Sequence, residues 1–69
     1  MKFEELMAAA NDMIASLNRG IQSPEQGEEY EREMADLQKH LQAAWATGLR
    51  EQAEAKEAEL LDAWEQASR

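Results

Sequence analysis

From the amino terminus the apolar residues fall at Phe3, Met7, Ala10, Ile14, Leu17 and Ile21, in steps that alternate between four and three. That rhythm keeps the side chains on one face of an α-helix, because about 3.6 residues complete a turn. Leu6 and Met13 widen the stripe to the breadth of a core-facing helix, while Asn11, Asp12, Ser16 and Asn18 lie off it. Gly20 supplies a stop, since glycine takes the left-handed conformation without steric cost. The pattern predicts a first helix over residues 2–18.

The next stretch, Ser23 to Trp45, is the best signalled in the chain. Ser23 is an N-cap, Pro24 suits the first helical position, and Gln26 stands where a capping box needs it. Tyr30, Met34, Leu37, Leu41 and Ala44 then repeat the four-and-three spacing. Glu28–Arg32 and Asp36–His40 are spaced as surface i,i+4 pairs. A second helix over residues 24–46 is expected. Gly27 is discordant, costing about 1 kcal/mol relative to Ala inside a helix. It marks either a later start or a close approach by another stretch of backbone.

Gly48 decides the architecture. As a turn it begins a third helix over 49–67, with Leu49, Ala53, Lys56, Leu60, Ala63 and Ala67 at seam spacing and Leu61 and Trp64 beside it. The fold class is then all-α, an up-down-up three-helix bundle of one domain. In that bundle the small side chains near Ala53 meet the bulky Phe3 and Trp45 end, and Leu60 and Trp64 meet Ile14, Leu17 and Met34. If the helix runs through Gly48 instead, residues 24–68 form a rod of about 67 Å, the alternative being a dimeric helical hairpin. No Ser, Asp or Asn caps a start after Gly48, and no Pro enforces a break there.

Composition supports helices throughout. Val is absent, the β-branched residues are Ile14, Ile21 and Thr47, and 13 Ala, 12 Glu and 6 Gln stand in their place. With no Cys, neither a disulfide nor a Cys-ligated zinc can stabilise so small a core. No apolar run approaches the roughly 20 residues of a membrane span, and Glu4 and Glu5 follow Lys2 where a signal peptide would be apolar. A cytoplasmic location is expected. The net charge of −8 repels nucleic acid and anionic membranes, so neither is expected as a direct partner.

Candidate chemistry is sparse. His40 is the one histidine, and a di-metal carboxylate bundle needs two. The serines and Thr47 lack a nearby base arrangement that would make a nucleophile, and the three glycines are scattered singly. Neither a metal, a cofactor nor a catalytic residue is therefore assigned, and an enzyme is not expected.

Two features remain. Six acidic residues lie between Glu25 and Asp36, and of these Glu25, Glu28, Glu29, Glu33 and Asp36 are the candidate partner-binding set. Near the carboxyl end, Leu60, Leu61, Ala63 and Trp64 span more of the helix than one core stripe, which makes Leu61 and Trp64 candidate anchors. These features suggest a non-catalytic acidic module, an inhibitor, adaptor or chaperone, docking on a larger protein with a basic surface. One alternative is an acidic mimic of nucleic acid that blocks a DNA- or RNA-binding protein, a device used by phage-encoded inhibitors of host defence. Another is a self-associating or designed bundle without biochemical activity.

Overall fold

Both direction changes of the chain occur at a glycine with a positive φ. The computed structural model describes residues 2–69. Three helices follow in order: α1 (Phe3–Asn18), α2 (Pro24–Ala44) and α3 (Arg50–Ala67), with a 3-10 turn at Trp45–Thr47 between the last two.

Helix α1 begins without a side-chain cap, and Glu4 and Glu5 in its first turn complement the helix dipole. It stops where Gly20 adopts φ +90°, the Gly20 amide donating to the Leu17 carbonyl at 2.9 Å. The Ser23 hydroxyl then accepts from the Gln26 amide at 3.1 Å and caps α2. The reciprocal half of the capping box is displaced by one residue. Gln26 Oε1 accepts from the Gln22 amide at 2.6 Å, so the box also fastens the connector.

Gly27 lies inside α2, which starts at Pro24, so it marks no later start. Nor does backbone approach it. A Cβ there would meet the Ile21 Cγ2 methyl at 3.4 Å, an ordinary contact. The glycine leaves room for the connector's isoleucine to lie over the first turn.

At the second reversal the α-helix tightens into the 3-10 turn, and the Thr47 hydroxyl donates to the Ala44 carbonyl at 2.7 Å. Gly48 takes φ +85°, and the chain turns back. The through-running rod is thereby excluded: the molecule measures 37 × 18 × 15 Å, far short of about 67 Å. No side chain caps α3. Its start is held instead by the Arg50 guanidinium, stacked 4.9 Å from the centre of the Trp45 ring, while Arg50 Nε donates to Glu54 at 2.6 Å. The Trp45 indole N–H is buried without a hydrogen-bond partner.

The core draws on all three helices: Leu6, Ala10, Met13 and Leu17 from α1; Met34, Leu37 and Leu41 from α2; Ala53, Leu60 and Ala63 from α3. The seams expected for α2 and α3 match this. That of α1 is rotated towards Leu6 and Met13. Leu6 and Met13, expected as flanks, are fully buried, whereas Phe3, Met7 and Ile14 are half-buried around them.

Two polar ties across the helices show their register. Lys56, with its side chain 15% exposed, lays its stem along the core edge and donates from Nζ to Asn11 and Glu59, each at 2.8 Å. Gln38 and Gln42 of α2 both donate to Glu57 of α3, at 3.4 and 3.0 Å. Reading outward from these ties, Ala53 lies level with the Trp45 end of α2 and Leu60 level with Leu37, about one turn from the Met34 expected opposite it. Among the described residues no helix is long and apolar enough to cross a membrane.

The two unusual glycines predict opposite effects. Gly27→Ala should stabilise the bundle by about 0.5–1 kcal/mol, from helix propensity alone. Gly48→Ala should destabilise it by about 1–2 kcal/mol, although open space surrounds the position, because alanine resists the left-handed conformation. Urea unfolding followed by circular dichroism reads both, and equal signs would contradict the turn geometry.

Candidate functional site

Helical placement divides the acidic residues of α2. Each residue turns the helix by about 100°, so Glu25, Glu29, Glu33 and Asp36 share an arc of about 80°. Glu28 lies about 60° outside that arc, on the side of Arg32 and Lys39. All five carboxylates are exposed. Of the two i,i+4 pairs anticipated on α2, Asp36–His40 closes at 3.6 Å and Glu28–Arg32 does not.

Packing α1 beside α2 gives the shared arc a neighbour. Glu33 and Asp36 border a hollow of about 320 Å³ between the two helices, and Asp12 of α1 stands on the opposite rim. Its floor is apolar, formed by Ala9, Met13 and Leu37, and Ser16 completes the lining, its hydroxyl accepting from the Arg19 guanidinium at 3.1 Å. Asp12 was identifiable in the sequence only as a polar residue off the α1 seam. Nothing in a one-helix pattern shows that it will face Glu33 and Asp36, because that depends on how the two helices are set side by side.

A second hollow of about 230 Å³ opens further along the same interhelical seam, lined by Phe3 and Leu6 of α1 and by His40, Ala43 and Ala44 of α2, with Thr47 and Leu49 at its end. His40 lines this hollow while its side chain stays 41% exposed. Its Nδ1–H donates to the Asp36 carbonyl at 2.8 Å, which directs the half-buried ring against helix α2 and leaves Nε2 as the free ring nitrogen. Among the described residues no group of three or more His, Asp or Glu side chains is arranged to hold a metal ion.

Leu61 and Trp64 occupy a different part of the molecule. Trp64 is half-buried and packs against the core, whereas Leu61 is 42% exposed. Leu61 follows Glu57 by one turn, and Glu57 is bound by Gln38 and Gln42, so Leu61 borders the α2–α3 side. The acidic hollow borders the α1–α2 side. The width of α2, about 10 Å, therefore separates the two candidate patches. A single exposed leucine is ordinary for a protein surface, and the apolar patch anticipated on α3 reduces to that residue.

No family model matches the chain, and no curated protein or solved structure is significantly similar to it.

Truncation separates the two α3 residues. Trp64→Ala should cost about 2–3 kcal/mol of stability through lost packing, less than for a fully buried tryptophan. Leu61→Ala should stay within about 0.5 kcal/mol of the parent. Urea midpoints measure both, and a neutral Trp64→Ala would remove this tryptophan from the core.

Proposed function

We propose that this chain is a non-catalytic binding module that docks its α1–α2 face on a basic surface of a larger protein. The observation that carries the reading is the hollow floored by Ala9, Met13 and Leu37 and rimmed by Asp12, Glu33 and Asp36. A lysine or arginine of a partner has the matching anatomy: an apolar stem for the floor and a cationic head for the rim. Glu25 and Glu29 extend the negative stripe by two turns beyond Glu33, and the net charge of −8 draws a basic partner in from a distance.

Docking of this kind is favoured over imitation of a nucleic-acid backbone. Glu28 shares the outer side of α2 with Arg32 and Lys39, which interrupts the continuous negative surface that a mimic presents. An inhibitor, an adaptor and a chaperone would each use the same contact.

Capture of proteins from the source cell on the immobilised chain tests the reading, with Asp12→Asn, Glu33→Gln and Asp36→Asn combined as the control. All three positions are exposed, so the control should keep the parent's circular dichroism. A basic protein should be retained by the parent, released as salt rises from about 50 to 200 mM, and lost from the triple variant. Retention unchanged by the triple variant, or abolished by Leu61→Ala alone, would overturn the proposal.

A further inference from the structure

The acidic stripe of α2 runs into the chain's one histidine. At about 100° per residue, Glu29, Glu33, Asp36 and His40 fall within an arc of about 60°. His40 lies about 20° round the helix from Glu33, and about 40° from Asp36 and one turn further on. It is the one side chain of that arc able to become a cation. Histidine is the side-chain type that changes charge between pH 5 and 8, and the chain has one of them and no Cys.

The ring is held where its charge matters. Nδ1–H donates to the Asp36 carbonyl at 2.8 Å, and the same nitrogen lies 3.6 Å from the Asp36 carboxylate. Because a carbonyl only accepts, the neutral ring carries its proton on Nδ1, and a second proton enters at Nε2. The ring thus becomes a cation without breaking its bond to α2. Around it, α1 presents Phe3 and Leu6, the turn presents Thr47 and Leu49, and α2 adds Ala43 and Ala44. None of these is charged, and Lys39, the adjacent cation on α2, lies about 100° round the helix. Asp36 is therefore the carboxylate that responds to a proton on His40. With Asp12 and Glu33 it also rims the acidic hollow, so a partner's cation and a protonated His40 compete for one group.

We infer that His40 is a proton switch on the docking face: protonated, it pairs with Asp36 and weakens the hold of the seam on a basic partner. The inference rests on the docking function proposed above and adds its regulation.

Sign and size follow from charge. At a pH above the His40 midpoint the ring is neutral, and the three rim carboxylates act on the partner undiminished. Below it, one positive charge stands beside them. A partner cation held by Asp36 would lie about 7 Å from the ring, where an added unit charge in water lowers affinity about threefold. The effect is reciprocal: whatever His40 protonation does to the partner, the partner does to His40 protonation. A threefold change in affinity equals a fall of about 0.5 pH unit in the His40 midpoint when the partner is bound.

A hexa-arginine peptide titrated into the intact chain at about 20 mM salt, where screening is weak, tests this. The readouts are the amide shifts of Asp12, Glu33 and Asp36 and the ring protons of His40. The parent should bind the peptide about threefold or more weakly at about pH 5.5 than at about pH 7.5. His40→Gln, which places a neutral side chain at this half-buried position, should lose that difference. Saturating peptide should lower the His40 midpoint by about 0.5 pH unit or more.

The same pH dependence in His40→Gln, or an unmoved His40 midpoint while the peptide shifts Asp12, Glu33 and Asp36, would overturn the switch and leave the docking function standing. A peptide that shifts none of those three amides at either pH would overturn both.

Discussion

Leu17, Leu41 and Leu60 come from three different helices, and each is almost wholly removed from water. Burying all three within a 69-residue chain requires two reversals of direction, and every other feature of the molecule follows from that requirement. Gly20 and Gly48 make the reversals possible because each can take a positive φ. The small residues Ala53 and Ala63 on α3 let the other two helices close over it. With no disulfide, and no polar or charged residue buried among the described residues, apolar packing provides nearly all the tertiary stability. The polar ties, Lys56 to Asn11 and the two glutamines to Glu57, are at the rim and align the helices more than they stabilise them.

The same closure produces the α1–α2 groove. Two antiparallel helices pressed together on one side leave a seam on the other. Here the seam has small side chains, Ala9, Ala43 and Ala44, where larger ones would fill it. The acidic stripe of α2 borders that seam because it occupies the flank of the helix next to Leu37. The opposite flank, with Gln38 and Gln42, is occupied by Glu57 of α3. Charge that looks uniform along the sequence is therefore sorted by packing into a groove side, an outer side shared with Arg32 and Lys39, and a side tied to α3.

Much of the fold was legible in local pattern. The seams of α2 and α3, the Ser23–Pro24 start and the Gly20 stop each rest on interactions between residues close in the chain. Gly48 was ambiguous because its turn is secured by the Thr47 hydroxyl and by Arg50 over Trp45, neither of which is a standard start signal. The rotation of α1 onto Leu6 and Met13 could not be read from its pattern, because Phe3, Met7 and Ile14 offer an apolar stripe as good as the one that is buried. The site was legible only in part. Glu33 and Asp36 stood out as acidic, but their pairing with Asp12, and the exposure of His40 to an apolar hollow, are products of helix placement.

One chain closes on itself around those leucines and leaves the α1–α2 seam open. Isotope-filtered nuclear Overhauser spectra on a mixture of labelled and unlabelled protein test it most directly. Contacts from the Leu60 methyls to methyls of α1 and α2 should arise within single molecules and persist on dilution. If those contacts are seen only between molecules, α3 packs on a second copy, and the closed bundle described here is contradicted.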